Sequence, residues 1–138
     1  MTSDELDQEI MSIRSNSGDA LAAISASGRE PSDADRVCWH FRSLDEVADG
    51  QSAEFYDHVE ALLPKQIAQI EMERMVFGSF ELWEKSFPTA DWLEQRLAQF
   101  RTFGVETGTC PKGWSYEPSD RQKGWIPQAW ADDNESSN

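Results

Sequence analysis

The stretch from Ala53 to Phe103 constrains the fold most, because it holds the longest helical periodicity in the chain. From Ala68, apolar residues recur at Met72, Met75, Val76, Phe80, Trp83 and Phe87, the intervals of one face of a 3.6-residue helix. Ile67, Ile70 and Phe77 widen the stripe, and a stripe this wide predicts partners on two sides. Gly78 sits inside the pattern at about 1 kcal/mol relative to Ala, which marks a close crossing or a kink. Before it, Ser52 can cap a shorter helix carrying Phe55, Val59, Leu62 and Leu63, and Pro64 then bends or breaks the chain. After Pro88, Thr89 caps a third helix that buries Trp92, Leu93, Leu97, Phe100 and Phe103 and ends at Gly104.

Toward the N-terminus, Thr2 and Glu5 have capping-box spacing, followed by Leu6, Ile10 and Ile13. Asn16, Ser17 and Gly18 interrupt this helix, and a second piece runs from Asp19 to Ala26. The pattern predicts a two-part helical arm docked lightly on the core. Residues 27–35 form a turn-rich connector. In the next run, Val37, Trp39 and Phe41 alternate onto one face, the clearest strand signal in the chain. Cys38 and His40 would then share the opposite face. Ser43 and Glu46 suggest a short helical turn over residues 44–48.

Past Gly104, residues Val105 to Cys110 suit a strand beside residues 37–41. Prolines, glycines and the tryptophans Trp114, Trp125 and Trp130 follow, with Lys-Gly-Trp occurring at Lys112 and again at Lys123. The expected architecture is therefore α-rich α+β: a helical core of three helices over about 53–103, an N-terminal helical arm, and a small sheet from residues near 37–41 and 105–126. Residues 1–130 make one domain, with an acidic disordered tail at 131–138.

Charge narrows the function classes. The net charge is −14, and it is uneven. Residues 1–60 carry 14 acidic and 4 basic side chains, a balance of −10; residues 61–138 carry 12 and 8, a balance of −4. Such a field repels nucleic acid and anionic membrane and favours basic protein surfaces. No apolar run approaches 18 residues, and no basic segment leads into an apolar block near the N-terminus. Two cysteines make no disulfide framework, so reduced thiols in the cytoplasm are expected.

Catalytic and metal signatures are weak. Cys38 and His40 are one irregular pair, with Cys110 and His58 elsewhere, whereas zinc sites usually present paired ligands twice. No flanking signature makes either cysteine a nucleophile. Glu71 and Glu81, or Asp57 and Glu60, can be paired as carboxylates, but with 26 acids some such pairing is expected by chance, and solvated helix faces are the expected account of them. No phosphate loop or cofactor motif occurs. No catalytic residue, metal or cofactor is therefore assigned.

The expected function is a non-enzymatic acidic protein-binding module. Its partner would carry a basic surface, in the sharpest version the nucleic-acid groove of a DNA- or RNA-handling protein, as phage and mobile-element anti-defence inhibitors use. The candidate contact residues are Asp33, Asp35, Asp45, Glu46, Asp49, Glu54 and Asp57, with Trp114, Trp125 and Trp130 as aromatic anchors. Asp4, Asp7 and Glu9 extend the acidic set. The alternative is an assembly factor or chaperone that binds through the Trp-rich C-terminal segment.

Overall fold

A computed structural model describes residues 3–31, 35–43, 57, 60–61, 71–74, 79–118 and 125–132. Among them, two long helices lie against a five-stranded antiparallel sheet, an α+β architecture. The helices are α1 (Ser3–Ala26) and α2 (Ala90–Thr107). The strands are β1 (Arg36–Ser43), β2 (Glu71–Arg74), β3 (Ser79–Glu84), β4 (Thr109–Glu117) and β5 (Gln128–Trp130), in sheet order β2-β3-β1-β4-β5.

β1, the strand that its alternation predicts, lies at the centre of the sheet. Val37, Trp39 and Phe41 are buried, and their register pairs them with Glu84, Leu82 and Phe80 of β3. On the other side, Val37 and Trp39 pair with Tyr116 and Trp114 of β4, before a bulge between His40 and Phe41 shifts the register. These residues form the sheet face beneath α2. Trp39 packs edge-on against Phe100 at 4.9 Å and tilts against Trp92 at 5.4 Å. Phe41 stacks on Phe80 at 5.2 Å and meets Phe100 and Phe103 edge-on.

The long helix expected over residues 68–87 is not formed; β2 and β3 occupy part of that stretch. Residues 79–84 alternate half-buried and buried, with Phe80, Leu82 and Glu84 inside. Phe80 and Leu82 would lie about 200° apart around a helix and could not share one buried face. In a strand they do. Trp83, placed on the helical stripe by its spacing, therefore lies on the sheet face opposite the core.

α1 is one continuous helix, not an interrupted arm. Leu6, Ile10, Ile13, Ser17, Ala20 and Ile24 are its buried residues, a spacing that runs straight through the expected break. Ser17 accounts for the continuity: its hydroxyl donates to the Ile13 carbonyl at 2.6 Å and accepts from Trp114 Nε1 at 2.9 Å. The helix is part of the core. Gly18 is exposed, so its helix penalty of about 1 kcal/mol is outweighed by the buried stripe.

α2 begins as expected, with the Trp92 N–H donating to Thr89 Oγ1 at 3.1 Å and Asp91 in the first turn. It does not stop at Gly104. It continues to Thr107 and ends at Gly108, whose φ of 71° is left-handed and whose N–H donates to the Gly104 carbonyl at 2.8 Å. The strand expected from Val105 accordingly starts only at Thr109. Gly104 serves packing instead: a Cβ there would lie 2.5 Å from the Thr109 carbonyl and about 3.0 Å from Leu6, so the glycine lets α1 approach.

The helix expected over 53–63 falls mostly outside the described residues, of which 57, 60 and 61 are helical. The bend at Pro64, the short helix at 44–48 and the tail beyond 132 also lie outside them. No helix of the described residues is long and apolar enough to cross a membrane.

Candidate functional site

Two polar features stand out, one inside the core and one on the opposite sheet face. The first is Glu84, whose side chain is 0% exposed. Its carboxylate accepts from Trp39 Nε1 at 3.0 Å, Trp92 Nε1 at 2.9 Å, and Arg96 Nε at 3.0 and 3.2 Å, and it also accepts from the Ser86 hydroxyl. β3 delivers the acid and α2 delivers the cation and one indole. Every strong acceptor direction is used, so this is a structural hub joining sheet to helix.

The second feature is built by β1 and β3 on the face away from α2. Cys38 and His40 point there together, as strand alternation predicts, and Glu81 of β3 faces them because it is the register partner of His40. Cys38 Sγ is 3.5 Å from His40 Nε2 and donates to Glu81 Oε2 at 3.4 Å; His40 Nδ1 is 3.5 Å from the same carboxylate oxygen. The thiol is buried, whereas the His40 and Glu81 side chains are 26% and 19% exposed. Burial lowers the His40 pKa, against the opposing pull of Glu81 and Glu117. The ring is thus held neutral at neutral pH.

Aromatic residues frame this cluster. The Trp130 ring lies 4.6 Å from the His40 ring, and Gly113 makes room for it: a Cβ at Gly113 would sit 2.5 Å from the indole. Trp130 Nε1 donates to Gln128 Oε1 at 3.0 Å. Trp83, the register partner of Cys38, carries the Arg36 guanidinium over its ring at 4.7 Å. Its Nε1 is buried without an acceptor among the described residues.

The expected contact residues divide. Asp35 is buried, accepting from the Tyr116 hydroxyl at 2.9 Å, and so is not a surface acid. Trp114 is fully buried in β4 beneath the helices, because the Gly/Pro-rich segment forms a regular strand there. Trp125 is half-buried against Tyr116 and carries Arg29 over its ring. Trp130 is 41% exposed, and Asp57 is exposed. Asp33, Asp45, Glu46, Asp49 and Glu54 lie outside the described residues, as does His58. Asp7 and Glu9 are engaged in pairs, with Arg101 and Lys112 respectively.

Sequence reasoning names Glu81 only as a possible partner of Glu71 and misses its place beside Cys38 and His40. A helical reading of 68–87 puts it on a solvated face, and the alternation of Phe80 and Leu82 about Glu81 is the one sequence signal that turns it toward Cys38 and His40. Cys110, by contrast, is remote in character from the cluster: it is buried, and desolvation, reinforced by Glu9, pushes its thiol up to about 12. No family model, curated protein or solved structure matches this chain.

Proposed function

We propose that this chain is a non-enzymatic acidic module that binds a protein with a basic surface. The observation that carries the reading is how the charges are partitioned. Arg14 pairs with Glu94, Arg96 with Glu84, Arg101 with Asp7 and Lys112 with Glu9. Arg29 and Arg36 lie over indole rings. Most described cations are thus engaged within the molecule, where they fasten helices to each other and to the sheet.

The excess of acid is left outward. Asp4, Asp19, Glu30, Asp91 and Glu106 are exposed, and none pairs with a described basic side chain. With a net charge of −14, the long-range field is that of an anion. Carboxylates fixed on helices can occupy positions that phosphates would take, so the nucleic-acid groove of a DNA- or RNA-handling protein is the sharpest form of the partner. The burial of Trp114 removes one aromatic anchor from the alternative chaperone reading, as the burial of Asp35 removes one acid from this one.

The test is affinity capture at about 50 mM and about 500 mM salt, with wild type and an Asp4→Asn/Asp19→Asn/Asp91→Asn/Glu106→Gln variant, followed by competition of the captured protein with nucleic acid. Capture of basic proteins that is lost in the variant and at high salt, and displaced by nucleic acid, is expected. Capture indifferent to charge and salt would contradict the reading.

A further inference from the structure

The Cys38–His40–Glu81 cluster has a chemistry that acidic binding does not use. Three different donor types converge: a thiol sulfur, an imidazole nitrogen and a carboxylate oxygen, all within 4.8 Å of one another. Two of the three carry negative charge once the thiol loses its proton, and they face each other at 3.4 Å. Among the described residues, Glu81 has no basic partner apart from His40. Without a cation the arrangement is held by a proton on sulfur. A metal cation in its place would be attracted by both anions and by the imidazole lone pair at once.

Geometry selects the ion class. Zinc bonds of about 2.3 Å to sulfur and about 2.0–2.1 Å to nitrogen or oxygen, set tetrahedrally, place sulfur about 3.5 Å from each other ligand atom. The observed sulfur separations are 3.5 Å to His40 Nε2 and 3.4 Å to Glu81 Oε2. Magnesium and calcium call for an oxygen shell of six or more ligands and avoid thiolate. A thiol nucleophile served by His40 is the rival use of the same residues. It fits less well, because the carboxylate beside the sulfur opposes thiolate formation unless a cation intervenes.

We propose that Cys38, His40 and Glu81 form a Zn2+ site with three protein ligands and a fourth position for water or an incoming donor atom. The elements suit it. β1 and β3 are adjacent strands whose backbone fixes all three Cα positions, and Trp130, admitted by Gly113, packs on the ring of the histidine ligand. A site held across two strands is preformed, so binding also ties β1 to β3.

Metal-free protein titrated with Co2+ as the probe tests this. One equivalent should produce a thiolate-to-cobalt charge-transfer band and change the Trp130 fluorescence, and Zn2+ should displace the cobalt stoichiometrically. Cys38→Ser should abolish the band. Glu81→Gln and His40→Ala should weaken Zn2+ binding by more than about 100-fold, beyond the loss typical of outer-shell partners. Cys110→Ser should leave the band intact. Because Cys38 is buried, far-ultraviolet dichroism of each variant checks its fold, and Glu81→Gln, near the surface and isosteric, keeps the test open if Cys38→Ser fails to fold. No band in wild type, a band that survives Cys38→Ser, or unchanged Zn2+ affinity in folded Glu81→Gln would overturn the site.

Discussion

Glu84 shows how a single residue fixes the relation between sheet and helix. It is a fully buried carboxylate, yet two indole N–H groups, a guanidinium and a hydroxyl reach it. Removing its charge leaves Arg96, itself only 12% exposed, without a counterion. Glu84→Gln should therefore cost about 3–5 kcal/mol in urea denaturation, whereas a Glu84→Leu/Arg96→Met pair should cost less than either single change. An unaltered midpoint for Glu84→Gln would contradict the hub. Cys110 gives a pH signature. Its thiol is pushed from 9.0 to about 12, chiefly by burial. The unfolded chain loses this proton above about pH 9 while the fold keeps it, so stability should fall as pH rises from about 9 toward about 12. Cys110→Ala should flatten that part of the stability curve relative to wild type, and parallel curves would contradict the assignment.

Among the elements, legibility followed how many residues agreed on one period. The central strand was readable because Val37, Trp39 and Phe41 alternate with polar neighbours, and α2 because Thr89, Asp91 and five apolar residues concur. β3 was not, since Phe80, Trp83 and Phe87 also satisfy helical spacing and only Leu82 breaks it. Short apolar segments carry both periods, and tertiary pairing with β1 decided between them. α1 failed in the other direction: Asn16, Ser17 and Gly18 look like a break, but Ser17 hydrogen-bonds to a tryptophan 97 residues away, which no local rule can see. In sequence Cys38 and His40 make only one irregular pair for the same reason, because the third donor beside them comes from β3. A strand at 79–84 makes its own prediction. Phe80→Ala should cost about 3–5 and Leu82→Ala about 2–5 kcal/mol in chemical denaturation. A helical segment would bury one of these positions and expose the other, so a near-neutral Leu82→Ala would contradict the strand.

For the whole molecule, the decisive property is the separation of paired from outward charge. Pairs within the molecule engage Arg14, Arg96, Arg101 and Lys112, while Asp4, Asp19, Glu30, Asp91 and Glu106 are exposed on a chain of net charge −14. Long-range charge acts mainly on encounter, so it should set how fast a basic partner is captured more than how long it stays. Exposed acids can be neutralised without unfolding the protein, since single surface changes usually stay within about 0.5 kcal/mol. The most direct measurement is the association rate of a basic partner with wild type and with the Asp4→Asn/Asp19→Asn/Asp91→Asn/Glu106→Gln variant, each at low and high salt. Association should slow in the variant while dissociation changes little, and the difference should shrink at high salt as the Debye length falls below about 8 Å. Equal association rates for wild type and variant at low salt would contradict charge-steered binding and leave the acidity as a solubility device.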